Sequence, residues 1–278
     1  MHATGETAAA QYLSLLLRRN VFVIPLDRNR SWYRLHGLFR EFLLQEAQLE
    51  LGEAQRRAVL ERAAEWCERE GHWQDAIDYA LAAGSAELAA AVIERVGAMF
   101  VRDRGDLRQY IDWIEKLRAE GQEVGWDADL WYVWALVFHR RYDTARRQHE
   151  RIARRLEHER GAGGDLSRLQ ELGRRAQVIR ICVDTYTDHL ADAQQQGMQW
   201  LAGRAADDPF DVATIACAVG ISLKSSHQFV EAREVMRVAQ SAIAQADSDY
   251  GSGWVTLLTA MIAIHEGDYA TVHNDLLA

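Results

Sequence analysis

Lysine is almost missing from this chain: it stands at 116 and 224 only, so the basic charge rests on arginine. Proline is as scarce, at 25 and 209. Proline breaks helix interiors, so its near absence permits long helices almost throughout. The plentiful Ala, Leu, Arg, Glu and Gln favour them. Cysteine occurs three times, at 67, 182 and 217. An odd number, wide spacing and helical surroundings argue against a disulfide framework and for a reducing, cytoplasmic setting. No apolar run approaches the roughly 18 residues of a membrane span. The start, MHATGETAAAQYLSLLL, lacks the positive charge and cleavage site of a signal peptide. A formal net charge of −9 over 278 residues argues against the whole chain being a nucleic-acid sleeve.

Catalytic signatures are absent too. There is no Gly-Lys pair for a P-loop, and Lys224-Ser225 follows Leu223. No G-x-G-x-x-G follows a strand, and no G-x-S-x-G elbow occurs. His149-Glu150 and His158-Glu159 hint at a zinc-protease helix, but Ala153 and Ala162 stand where the second histidine belongs. Those histidines read as solvated helix surface. The chain is expected to be no enzyme, with no metal site and no cofactor of its own.

What is present is helix, with one exception. An apolar helix ends at Arg18-Arg19-Asn20. A β-rich run follows over Val21 to Leu26, a polar turn over Asp27 to Ser31, and a second short strand over Trp32 to Leu35. His36 then opens an amphipathic helix. Helix, hairpin and helix in that order make the back half of a winged helix.

From Glu53 the apolar residues recur at helical spacing. Val59, Leu60, Ala63, Ala64 and Cys67 line one helix, and Trp73, Ala76, Ile77, Ala80 and Leu81 the next. Gly71, Gly84-Ser85, Gly105-Asp106 and Gly121 punctuate the series, and the short connections predict antiparallel neighbours. An internal repeat then emerges: an aromatic or Leu, two residues, then a small residue. It occurs at Tyr142/Ala145, Leu190/Ala193, Phe229/Ala232 and Tyr269/Val272, with the last three starts 39 and 40 residues apart. Gly220 and Ala260 sit nine residues before Phe229 and Tyr269, as a long-helix variant of a tetratricopeptide-like repeat requires. One helix pair cannot bury its apolar face alone; stacked pairs make a continuous core and a concave groove. Asp207-Asp208-Pro209 reads as a firm helix start. Arg160 to Asp165 reads as a flexible joint between repeats. The chain stops at Ala278 after a helix only begins near Ala270, which suggests further superhelix beyond it.

The expected fold is therefore mainly α: antiparallel helix pairs stacked as a tetratricopeptide-like superhelix, with a small winged-helix β-hairpin near the N-terminus. The expected divisions are 1–52 for the winged-helix remainder, 53–125 for a connecting helical arm, and 126–278 for the superhelical sensor domain.

Registering the repeats on their small residues places Trp134 and Phe138, then Arg175 and Tyr186, then Lys224, then Trp254 and His265 on the concave face. Aromatic planes with scattered cations make a reasonable pocket for a sugar or an aromatic metabolite. Trp131 and Tyr142 read as packing. Residues 140 to 180 form a basic belt of twelve Arg against six acids. It is either a docking face or an ordinary solvated helix surface balanced by local pairs.

Two segments, N-x-F-x-x-P-L-D and W-Y-R-x-H-x-L-F-R-E-F-L within residues 20–43, resemble the large LuxR-type transcription regulators of the maltose-activator (MalT-like) family. The likeness is dense over about residues 13 to 44. It continues more loosely through Arg62-Ala63-Ala64-Glu65-Trp66, Gly71 and Asp75 to Gly84. The resemblance implies a regulatory fragment. In the full-length protein a STAND-type nucleotide-binding module using ATP or ADP would precede it, and a C-terminal DNA-binding domain would follow. Its partner would be a small-molecule inducer or a regulatory protein, with DNA bound only through the absent domain and no membrane involved. His36 matches the histidine of a Met-His-Asp-like motif that touches nucleotide phosphates in such proteins, although the motif here reads Leu35-His36-Gly37-Leu38 without the aspartate. The residue-level alternative is that His36 packs between hairpin and helix.

Two other readings stand beside this one. In a DNA-binding winged helix, Arg18, Arg19, Arg28 and Arg30 would touch phosphates. Against it, the preceding helix (Tyr12, Leu13, Leu15, Leu16, Leu17) is too apolar for a major groove. A plain protein-interaction scaffold would show the same repeats.

Overall fold

The computed structural model describes residues 8–19, 21–28, 33–203, 208–269 and 272. The chain divides into two compact units. One comprises 1–93 with 120–122, the other 94–119 with 123–278. Among the described residues the protein is mainly helical, with one two-stranded antiparallel sheet.

In the first unit, α1 (Ala9–Arg18) leads into β1 (Val23–Pro25) and β2 (Tyr33–Leu35). The strands pair antiparallel in the register Val23↔Leu35, Ile24↔Arg34, Pro25↔Tyr33. α2 (Gly37–Glu50) follows. The helix–hairpin–helix order is the one read from the sequence; Trp32, Ser31 and Arg30 lie outside the described residues. α2 buries none of its side chains, and Leu38, Phe42, Leu43, Leu44 and Leu49 are exposed on it. α3 (Glu53–Arg69) and α4 (Trp73–Ala82) pack as a pair. They bury Ala64 and Cys67 against Ala76, Ile77, Ala80 and Leu81. α5 (Ala86–Ala98) begins here and passes without a break into a π-helical turn, Met99–Asp103.

The second unit continues with α6 (Leu107–Ala119), α7 (Trp126–Phe138), α8 (Tyr142–Gly161), α9 (Leu166–Tyr186), α10 (Leu190–Ala202), α11 (Pro209–Ser225), α12 (Phe229–Ala246) and α13 (Asp249–Glu266). α7, α9, α11 and α13 touch in series, making one layer. α8, α10 and α12 each pack on the two odd-numbered helices that flank them in sequence, making a second. A helix covered from several sides must be apolar all round. α7 and α11 obey this, with Leu130 to Val137 almost wholly buried on one and Phe210 to Leu223 burying most positions on the other.

The repeat is visible in the turns as well as the helices. α8, α10 and α12 start at Tyr142, Leu190 and Phe229, and Ala145, Ala193 and Ala232 are fully buried at their crossing points. Two residues before each start, one residue takes a left-handed conformation: Arg140, Asp188 and His227. Each turn then closes with the same backbone bond: Arg141 to Leu136, His189 to Asp184, Gln228 to Leu223, at 2.8 to 2.9 Å. Gly71 and Gly267 hold the equivalent place elsewhere. Glycine adopts this conformation freely, whereas an L side chain costs roughly 1–2 kcal/mol there. The helix expected from Tyr269 falls largely outside the described residues.

Three readings are corrected. Arg160 and Gly161 are the last residues of α8, not part of a joint. The connection to α9 is short, and Asp165 caps α9 by accepting from the Ser167 and Arg168 backbone N–H groups. His149 is not solvated surface. Its ring nitrogen bonds the Ala176 carbonyl oxygen at 2.9 Å, tying α8 to α9, and burial pushes its pKa down. Nor are the belt arginines balanced mainly along their own helix. Arg151 and Arg155 reach back to Asp129 on α7, and Arg168 and Arg175 to Asp127. Among the described residues no helix is long and apolar enough to cross a membrane.

Candidate functional site

α7, α9, α11 and α13 lie side by side, so residues one or two turns apart on each helix can converge on one spot. Trp134 and Phe138 come from α7, Tyr186 from the end of α9, Lys224 from the end of α11 and Trp254 from α13. The Phe138 ring stands edge-on to both Tyr186 and Trp254, each at 5.6 Å between centroids. Trp134 lies 4.6 Å from Phe138. Together these rings line two neighbouring hollows.

The inner hollow is a narrow slot of about 40 Å³ among Trp134, Cys182, Phe210, Cys217, Tyr250 and Trp254. The outer one is about 580 Å³, bounded by Phe138, Arg140, Tyr142, Tyr186, Lys224 and Trp254 with aliphatic residues of α13. Ligand pockets typically span about 300–1,000 Å³, so the outer hollow is the one of ligand size. The slot is apolar enough to push the Cys217 thiol up to about 12 and the Tyr186 hydroxyl well above its ordinary range. Those groups stay neutral at physiological pH, and the cysteines, all free, are not thiolate nucleophiles.

The seven residues placed on the concave face do not all meet. Trp134, Phe138, Tyr186, Lys224 and Trp254 share the two hollows. Arg175 is held elsewhere, ion-paired to Asp127 and seated 5.2 Å over the Trp131 ring. It lines a separate polar cleft of about 770 Å³ with Glu94, Arg102, Arg174 and Asp208. In that cleft the Glu94 carboxylate accepts from the Asp127 and Ala128 backbone N–H groups and so caps α7. The same carboxylate fills the space that a side chain at Gly125 would need. His265 is exposed, bonded to the Met261 carbonyl of its own helix. Phe210, Tyr250, Arg140 and Tyr142 complete the walls and were not foreseen as site residues. The i,i+4 spacing of Tyr250 and Trp254 on one helix was the available signal for one of them.

His36 precedes α2, with its backbone N–H bonded to the Phe22 carbonyl at 2.8 Å. Its ring is exposed and stands 5.8 Å from the Phe22 ring. That position leaves the imidazole accessible at a helix N-terminus, where free backbone N–H groups favour anions. Among the described residues no cluster of His, Cys, Asp and Glu is arranged to hold a metal ion.

Comparison with known proteins gives these residues a context. Residues 1–56 match the family model of the MalT winged helix domain. The chain is 31% identical over 94 residues to the HTH-type transcriptional regulator MalT of Vibrio cholerae, covering 34% of this chain and 10% of that protein. It is 30% identical over 118 residues to MalT of Vibrio parahaemolyticus, covering 42% of this chain and 13% of the relative. The serine/threonine-protein kinase PknK of Mycobacterium tuberculosis is 35% identical over 92 residues, 33% of this chain and 8% of that protein. The chain thus spans only about a tenth of the length of these relatives. No solved structure matches. The similarity supports a regulatory role, with residues 1–56 similar to the MalT winged helix domain.

Proposed function

We propose that this chain is the sensing portion of a MalT-like, LuxR-type transcription regulator. Its tetratricopeptide-like region, 126–278, binds a small-molecule inducer or a regulatory protein in the cytoplasm. Nucleotide-dependent activation is coupled to that event in modules outside the chain, where ATP or ADP binds, and DNA is met through a further domain. The observation that carries this reading is the convergence of Phe138, Tyr186, Lys224 and Trp254 on a ligand-sized hollow, in a chain whose first 56 residues match the MalT winged helix. Inducer binding would shift a population between resting and active arrangements, which requires different affinity for the two. The exposed apolar face of α2 supports a seat for a neighbouring module, and His36 beside it is suited to sense a phosphate.

Two experiments test these parts. Melting of the protein is followed against sugars, aromatic metabolites and nucleotides. A ligand at a hundred times its Kd should stabilise by about 2.7 kcal/mol, and Trp254→Ala should remove the shift. No shift from any compound would sink the small-molecule reading and leave a protein partner. For the histidine, His36→Ala in the full-length regulator should weaken nucleotide binding; wild-type affinity and activation would end that assignment.

A further inference from the structure

We propose that the ligand of the outer hollow is a flat aromatic carboxylate. Its ring lies among Phe138, Tyr186 and Trp254, and its carboxylate meets Lys224 and Arg140. This deepens the small-molecule reading above and rests on it.

Charge is the first argument. Elsewhere in this unit several guanidinium groups are taken up by carboxylates: Arg118 by Asp129, Arg175 by Asp127, Arg180 by Asp184, Arg141 by Glu115, Arg233 by Glu266. Lys224 and Arg140 are unpaired cations that border an apolar hollow. Among the described residues neither side chain has a hydrogen bond or an ion pair, and no acid lines the hollow they border. Two unpaired cations at the rim of an apolar pocket, in a chain of formal charge −9, make a site for an anion. Arg140 sits in the left-handed turn position that Asp188 and His227 occupy in the equivalent turns, and its side chain reaches the rim of the hollow.

Shape is the second argument. The walls are rings set edge-on to one another, with Tyr142 stacked on Tyr186 at 6.3 Å. Such walls favour a flat π-face. A saccharide needs a partner for each hydroxyl, and the outer hollow offers few beyond its two cations and two phenols. The inner slot cannot take the ring: its 40 Å³ is far below the roughly 150 Å³ of a cavity that admits benzene. The ring therefore stops in the outer hollow, which leaves the carboxylate at the level of the two cations.

The test is calorimetric titration of the full chain with naphthoate, its neutral isostere naphthamide, decanoate and maltose. Naphthoate should bind at least about tenfold more tightly than naphthamide, the scale of one charge-assisted hydrogen bond. Lys224→Gln, and separately Arg140→Gln, should bring naphthoate down toward the amide, with the unliganded melting temperature reporting that each variant folds. Equal affinity for acid and amide, or a preference untouched by both variants, overturns the proposal. So does tighter binding of decanoate than of naphthoate. If naphthamide or maltose binds best and Trp254→Ala abolishes it, the hollow remains a ligand site and only the anion assignment falls. If no probe binds the folded chain, both readings fall together.

Discussion

Replacing Asp129 by Ala is expected to destabilise the protein by about 3 kcal/mol, the low end of the cost of breaking a buried ion pair. The carboxylate is 1% exposed on α7. Arg118 from α6 pairs with one of its oxygens, Arg151 from α8 bonds both at 2.9 and 3.0 Å, and Arg155 stands at 3.5 Å. One buried acid thus ties three successive helices. Removing it leaves the largely buried Arg118 guanidinium, whose Nε already lacks a partner, without its anion and held by Gln148 and the Tyr132 ring face. Arg151 and Arg155 are about one-third exposed and can turn to water, which holds the cost at the lower end. Burial pushes the Asp129 carboxyl up, outweighing the pull of the guanidinium groups. A raised folded-state value means the native protein takes up this proton before the unfolded chain does. Wild-type stability should therefore rise relative to that of Asp129→Asn as pH falls through that range. Denaturant unfolding measures both effects. Arg146→Ala, at an exposed pair with Asp143, should stay within about 0.5 kcal/mol. A wild-type midpoint for Asp129→Ala would refute the keystone role.

That acid was not singled out from the sequence, and the reason is instructive. A basic belt could be counted along 140–180, but its partners Asp127 and Asp129 lie before it in the chain and Asp184 after it. Composition shows an excess of charge within a segment; it does not show which earlier helix the stack brings beneath it. The helix starts were legible for the opposite reason. Tyr142, Leu190 and Phe229 each follow a local turn, and the small residue three places on is needed where two helices cross. The hairpin was legible because a short β-rich run interrupts a chain otherwise built for helix.

The pocket was legible in face but not in depth. Registering on small residues put Tyr186 and Arg175 on one side of α9, and Trp254 and His265 on one side of α13. Each pair is eleven residues apart, 186 minus 175 and 265 minus 254. At 1.5 Å per residue that is roughly 16 Å along the axis. Residues sharing a helical face can therefore belong to different levels of the stack. Arg175 accordingly meets Asp127 in its own cleft, and His265 lies beyond the rings. Phe210 escaped notice because its place one residue into α11 reads as part of a cap.

Trp134→Ala is expected to cost about 3–5 kcal/mol, more than any other substitution at the pocket. The ring is 4% exposed and packs on Phe138 at 4.6 Å and Phe210 at 5.4 Å. It is a wall of the core as much as a wall of the pocket. Its Nε1–H is buried without a partner, so the lost energy is packing and not hydrogen bonding. Trp134→Phe should then be mild, about 1–2 kcal/mol, because it keeps a ring between its neighbours and removes the orphaned donor. The alanine variant also enlarges the 40 Å³ slot by most of an indole, and added indole should restore part of the lost stability by filling it. Trp254 is half-buried, so truncating it costs less and leaves a folded protein in which ligand response can be read. Denaturant unfolding of the three variants, with and without indole, separates these effects. A loss below about 1 kcal/mol for Trp134→Ala, or no rescue by indole, would show that the slot collapses and that Trp134 is not the wall on which the pocket is built.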